Sequence, residues 1–178
     1  MKNITLLFII LIISTAFKGD ESFQQQKLVP DTNMLHIGII VEDIEQGIDQ
    51  WMKLIGRKER PNVIMATGHE SNPTTYRGKA SDAQAKLAFF SLENLQVELI
   101  EPIGKSPSHW QEFLNQKGPG VHHIAFEVNG IRKGYIEMYE ENGFPLAQKG
   151  GWGEGEYAYM DGLKSLGVMV ELIERYKP

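Results

Sequence analysis

Two histidines and two glutamates recur at matched places in this chain. His36 stands second in Leu35-His36-Ile37-Gly38-Ile39-Ile40-Val41, and a shift of 87 positions lays that stretch over His122-His123-Ile124-Ala125-Phe126-Glu127-Val128, with His36 on His123. A shift of 73 carries Val97-Glu98-Leu99-Ile100-Glu101 onto Val170-Glu171-Leu172-Ile173-Glu174 with all five residues identical. Imidazole and carboxylate together suit a first-row divalent ion. A set of two histidines and two glutamates leaves coordination positions for water or substrate. The competing reading is a buried His–Glu pair in each copy with a purely structural role. Duplication favours the metal, because structural polar pairs need not recur in both copies.

The elements that would position these residues follow from the same repeat. Val121–Val128 is rich in β-branched and aromatic residues and follows the turn residues Lys117-Gly118-Pro119-Gly120, which marks a strand. Strict alternation would put His123 with Ala125 and Glu127, and His122 on the opposite, buried side with Ile124, Phe126 and Val128. Glu98 and Glu171 would leave the face that packs on a helix, so twofold pairing of the copies would bring the four polar side chains together. The first copy continues with a helix from Asp43 to Ile55, capped by Asp43 and closed by Gly56. Short strands are expected at Val63–Ala66, Lys86–Leu92 and Val97–Glu101. The second copy repeats this with a helix from about Gly130 to Asn142 and strands near Pro145–Gln148, Glu156–Met160 and Gly167–Glu174. Each copy thus reads strand–helix–strand–strand–strand, an α+β class with helices on one face of a mostly antiparallel sheet. The offsets differ by 87 − 73 = 14 residues, an excess that fits the polar run Thr67–Gln84 of the first copy.

The chain begins with Met1-Lys2-Asn3 and an apolar run from Ile4 to Phe17, the layout of a secretory signal peptide. The expected organisation is a signal peptide at 1–19, a tether at 20–33 and one domain at 34–176. Within the domain, module 1 spans 34–102, a connector 103–120 and module 2 121–176. The leader points to export, periplasmic or secreted, with no stable membrane insertion after cleavage. An uncleaved anchor is the alternative. The absence of cysteine excludes disulfides and an N-terminal lipid-modified cysteine. A net charge of −5 without a basic patch argues against nucleic acid as a partner.

From Leu35 to Glu174 the chain resembles the vicinal oxygen chelate superfamily, closest in look to glyoxalase I and methylmalonyl-CoA epimerase. The resemblance rests on His36-Ile37-Gly38-Ile39-Ile40-Val41, Val97-Glu98-Leu99-Ile100-Glu101-Pro102, Gly118-Pro119-Gly120-Val121-His122-His123-Ile124-Ala125-Phe126 and Val168-Met169-Val170-Glu171-Leu172. It implies two tandem βαβββ modules forming a curved mixed sheet around a metal site, with His36, Glu98, His123 and Glu171 as ligands of one divalent ion. Zinc, nickel, cobalt and manganese all fit that set. The activity implied is isomerase, epimerase or lyase chemistry, moving a proton beside a metal-bound carbonyl by way of an enediolate or enolate. Glu171 is the expected base and Glu98 the second candidate. The partner would be a small carbonyl, carboxylate or thioester compound, and a homodimer is compatible with the fold. Two departures stand out: no second proton donor is identified near Lys86, and Asp161–Gly167 lacks the Pro-Lys turn of the coenzyme A epimerases.

Two other functions compete. A non-catalytic protein could sequester a small molecule between the modules, and a ring-cleaving dioxygenase would use two histidines and one carboxylate. The cluster Gly150-Gly151-Trp152-Gly153-Glu154-Gly155 precedes a strand instead of a helix, so it fails as a dinucleotide cradle. It reads instead as a hairpin with Trp152 as a possible lid. His69 and His109 are expected at the surface, and Tyr76, Arg77 and Lys79 in a solvated loop.

Overall fold

A computed structural model describes residues 27–29, 33–131 and 134–176. The expected signal peptide and most of the expected tether lie outside the described residues. Two tether residues, Leu28 and Val29, pack against the core of the second module. Among the described residues no helix is long and apolar enough to cross a membrane.

The first module runs β1 (His36–Ile40), α1 (Ile44–Ile55), β2 (Val63–Ala66), β3 (Thr75–Tyr76), β4 (Lys79–Ala80), β5 (Gln84–Ser91) and β6 (Gln96–Ile103). The connector carries α2 (His109–Lys117). The second module runs β7 (Gly120–Glu127), α3 (Tyr135–Glu141), β8 (Leu146–Trp152), β9 (Gly155–Met160) and β10 (Met169–Arg175). All ten strands form one curled, half-barrel mixed sheet in the order β2-β5-β6-β1-β7-β10-β9-β8-β3-β4. The modules meet where β1 pairs antiparallel with β7. Each of these lies parallel to the last strand of its own module, β1 to β6 and β7 to β10. The α+β, two-module reading holds.

Three apolar clusters divide the interior. Helix α1 packs Ile44 and Ile48 on the outer face of module 1, against Ala88, Phe90, Val97 and Leu99. On module 2, Ile131 and Tyr139 meet Ala158, Met160, Val170 and Leu172 in the same way. The third cluster lies inside the curl, where Trp110 and Phe113 of α2 pack with Ile40, Ile100, Tyr159 and Met169. Helix α2 is capped by Ser108, whose side chain accepts from the Gln111 amide at 3.0 Å. Pro107 therefore stands one residue before the cap. Helix α1 begins at Asp43, whose carboxylate accepts from the Gln46 amide at 2.9 Å, and ends at Gly56 with φ 67°. The equivalent of Asp43 under the 87-residue shift is Gly130, which offers no capping side chain. Helix α3 starts later than the repeat predicts, at Tyr135, and its N-cap Gly134 likewise lacks a capping side chain.

The last residue of the repeated Val-Glu-Leu-Ile-Glu run has a role of its own. Glu101 accepts the Ile44 amide at 2.8 Å, and Glu174 accepts the Ile131 amide at 2.7 Å, so each module ties the entry to its helix to its final strand. Lys86 pairs with Glu101 at 2.9 Å on this outer side, away from the inner face.

The polar insert of module 1 is largely solvated, Arg77 and Lys79 included, as expected, but part of it is strand and not loop. It crosses to the other module, where β3 pairs with β8 and β4 forms the far edge of the sheet. Strand β8 runs on to Trp152, past the expected end at Gln148, by pairing with β9. Its glycines make room for the crossing: a Cβ on Gly150 would stand 2.9 Å from the Thr74 hydroxyl, and one on Gly151 would stand 2.7 Å from the Asn72 Cβ. Tyr76, expected in solvent, is partly buried, and it and the exposed Arg77 both bind Glu112 of α2, through the Tyr76 hydroxyl at 2.8 Å and Arg77 Nη2 at 2.8 Å.

Glu101→Ala and Glu174→Ala each remove a charge-assisted bond to a backbone amide at the entry to a helix. Each is expected to cost about 1–2 kcal/mol in urea unfolding, and Glu101→Gln to recover part of that.

Candidate functional site

Glycine and alanine prepare the room for the polar quartet. Gly38 in β1 lies opposite Glu98 on one side and His123 on the other. Ala125, its equivalent under the 87-residue shift, lies opposite Glu171 and His36. A Cβ on Gly38 would stand 1.9 Å from His123 Cε1, so the imidazole occupies the space that any larger residue would need. This requirement is one of space, since Gly38 is absent from the glycines with positive φ.

On this ground His36, Glu98, His123 and Glu171 converge, each buried, with one donor atom apiece all within 4.8 Å of one another. His36 Nε2 stands 2.9 Å from Glu171 Oε2, 3.2 Å from Glu98 Oε2 and 2.9 Å from His123 Nε2. His123 Nε2 stands 3.1 Å from Glu171 Oε2 and 3.3 Å from Glu98 Oε2. All four residues expected to share a centre are thus brought to one.

The electrostatics of the quartet are those of a cation site. Glu98 Oε2 and Glu171 Oε2 are buried and lack a hydrogen bond of acceptable geometry. Both carboxylate oxygens nonetheless lie at ion-pair distance from two imidazoles. Lone pairs therefore converge on one point instead of meeting aimed N–H groups. Buried charge of this kind is costly unless paired or bound to a metal. Neighbouring ligands around an ion with bonds of roughly 2.0–2.1 Å stand about 2.9–3.4 Å apart. The observed spacings fall in that range, so the four residues could hold a metal ion.

Protons answer to the same field. Burial alone would lower His36, but the carboxylates of Glu171 and Glu98, at 2.9 and 3.2 Å, override this and raise it to about 10. Burial also lowers His123, and the charge of Glu171 is the main influence that raises it above the usual histidine value. Burial would raise both acids, and the imidazoles outweigh it: His123 and His36 hold Glu98 and Glu171 below the ordinary carboxylate range.

The site opens into a cavity of about 470 Å³ inside the curl, walled by Leu87, Phe89, Trp152, Tyr157, Tyr159 and Ile173 among others. Trp152, 42 % exposed, stands at this wall as the hairpin reading expected. Sequence reasoning passed over Tyr157 and Tyr159. Their alternation in β9, with Tyr159 registered against Glu171 of β10, is the signal that marks them. Tyr159 accepts from Trp110 Nε1 at 3.1 Å, and burial with the nearby charges of Glu171 and Glu98 keeps its hydroxyl protonated.

Two histidine expectations are corrected. His122 does not take the face opposite His123. The register of β1 on β7 skips from Gly38↔His123 to Ile39↔Val121, so His122 is a bulged residue without a partner in β1. The bulge turns it to the same interior as His123, and Val121 is left 48 % exposed. His109, expected at the surface, is only 2 % exposed; its Nδ1 lies 2.7 Å from His122 Nε2. His69 is exposed, as expected, and sits at the cavity wall.

Gly38→Ala should displace the His123 ring, lowering divalent-ion affinity at least tenfold and stability by about 1–3 kcal/mol, measured by metal titration and thermal unfolding. The quartet also sets a pH dependence. His36 is raised in the folded state, so its contribution is complete below pH 6.5 and is lost as pH rises toward about 10. Glu98 and Glu171 are lowered, so theirs is present above pH 4.5 and lost as pH falls through their folded values. Chelator-treated protein should therefore lose Tm between pH 6.5 and 10, and saturation with a divalent ion should abolish that alkaline loss.

Comparison with known proteins bears on the same geometry. Residues 35–160 match the family model of the Glyoxalase/Bleomycin resistance protein/Dioxygenase superfamily. An uncharacterized protein of Bacillus subtilis (strain 168), YqjC, is 29% identical over 147 residues, covering 78% of this chain and 89% of that protein. Among solved structures, hypothetical protein BH1468 from Bacillus halodurans C-125 aligns with a TM-score of 0.56 at 23% identity, covering 82% of this chain and 95% of that one. Methylmalonyl-CoA epimerase from Mycobacterium tuberculosis aligns with a TM-score of 0.55 at 19% identity, covering 87% and 95%. At these identities the structures speak for the fold, while the family match spans most of the chain. The chain belongs to the Glyoxalase/Bleomycin resistance protein/Dioxygenase superfamily.

Proposed function

We propose that this protein is a divalent-metal-dependent isomerase, epimerase or lyase that moves a proton at a carbon next to a carbonyl group. The observation that carries this reading is the convergence of two imidazoles and two under-bonded carboxylate oxygens at the wall of a largely aromatic cavity. His36, Glu98, His123 and Glu171 would hold the ion. When bound, a divalent cation supplies Lewis-acid polarisation of a substrate carbonyl, which makes the adjacent C–H more acidic.

The rest of the chemistry falls to side chains of this chain. Glu171 is assigned as the base that takes the proton from that carbon and returns it. Glu98, its equivalent in module 1, is the second candidate. The protonated Tyr159 hydroxyl stands ready to donate to a substrate oxygen, and the apolar wall keeps bulk water from the carbanion-like centre. Lys86 is not a partner in this step, because it lies on the outer side with Glu101. A small carbonyl, carboxylate or thioester compound suits the cavity. Structurally similar epimerases bind methylmalonyl-CoA and 2-nitronate-propionyl-CoA, which makes acyl thioesters the first compounds to test.

Metal analysis of the purified protein, followed by solvent-deuterium exchange into acyl thioesters and 2-hydroxy or 2-oxo acids, tests the proposal. Glu171→Gln should cut exchange by about 10²–10⁴-fold while the cavity still binds the compound. Protein that takes up no divalent ion yet binds small molecules undiminished would instead be a sequestering protein. Ferrous-dependent dioxygen consumption would make it an oxygenase.

A further inference from the structure

His122 and His109 have no place in the quartet, yet they form a buried line of imidazoles leading away from it. His123 Nδ1 lies 2.9 Å from His122 Nδ1, and His122 Nε2 lies 2.7 Å from His109 Nδ1. Both His122 and His123 are 0% exposed. The bulge in β7 creates this line, because regular alternation would have sent His122 to the other face. At its far end His109 reaches a second, smaller cavity, where its Nε2 faces Glu112 Oε2 at 3.9 Å. The carboxylate of Glu112 is itself held by the Tyr76 hydroxyl and by Arg77, both from the insert.

A hydrogen bond between two neutral imidazoles needs one N–H and one lone pair, so the line has only two polarities. In the inward polarity His109 Nε2 is a bare lone pair facing a carboxylate, and His123 Nε2 carries the proton. In the outward polarity His123 Nδ1–H donates to His122, His122 Nε2–H donates to His109, and His109 Nε2–H points toward Glu112. The charge on Glu112 favours the outward polarity. That polarity leaves the His123 Nε2 lone pair directed at the quartet, as a metal ligand requires.

We propose that His122 and His109, biased by Glu112, are positioning residues that hold His123 in its metal-binding tautomer and orientation. This rests on the metal reading of the quartet, and the tests separate the two. In His109→Phe, which preserves bulk, cobalt(II) affinity should fall about 10–100-fold and the visible absorption bands of the bound cobalt should shift. His109→Asn, which restores an acceptor, should recover most of the affinity. Glu112→Gln, remote from the ion and with its side chain 24% exposed, should weaken binding several-fold, and its weakened bonds to Tyr76 and Arg77 should lower Tm only modestly. Nitrogen NMR of the metal-free protein should find His122 and His109 as Nε2–H tautomers. Wild-type protein that fails to bind cobalt would overturn the metal reading and this role with it. Cobalt binding unchanged in both His109→Phe and Glu112→Gln, or His122 found as the Nδ1–H tautomer, would overturn the positioning role alone. Should His109→Phe fail to fold, Glu112→Gln and the tautomer measurement still decide.

Discussion

Two carboxylates buried side by side repel one another, and a protein interior tolerates them only with positive charge between. That constraint organises this molecule. Glu98 and Glu171 come from the last strands of two modules, and His36 and His123 come from the first strands of the same modules. The parallel pairing of first with last strand inside each module puts each Glu one strand from the next His. Antiparallel pairing of β1 with β7 then joins the two halves of the site. Protons serve as the counter-charge when they sit on the imidazoles, and a divalent cation would serve in their stead.

The rest of the sheet can be understood as support for that joint. The helices α1 and α3 cover its outer face; Glu101 near the end of β6 pins the first residue of α1, and Glu174 near the end of β10 pins Ile131, upstream of α3. Helix α2 fills the inner face beside the site, its Trp110 and Phe113 meeting Tyr159 and His122. The insert from module 1 laces across to β8 of module 2 and reaches back to α2 through Glu112. A tie between the halves that bypasses β1 and β7 restricts how far they can move apart. A site assembled from both halves needs that restraint.

Much of this was legible in the residues. The His36/His123 and Glu98/Glu171 repeats named the quartet, because a duplicated module must place equivalent residues equivalently. Helical spacing and capping located α1 closely, since Asp43 and Gly56 act within a turn of their own positions. Reading failed where a distant part of the chain took over. The helix of module 2 begins at Tyr135, four residues after the place the repeat marks. Positions 150 and 151 of strand β8 leave no room for a side chain, because Thr74 and Asn72, more than seventy residues earlier, occupy the space beside them.

What the chain determined by itself was the repeat, the two-module architecture and the identity of four polar residues, since these depend on local pattern and on duplication. Tertiary structure alone decided the side of the sheet on which His122 lies, the burial of His109, and the strand on which the polar insert comes to rest. A bulge changes side-chain facing without changing composition, and edge pairing is set by whichever backbone groups the finished sheet leaves open. Neither has a signature in the order of residues along the chain.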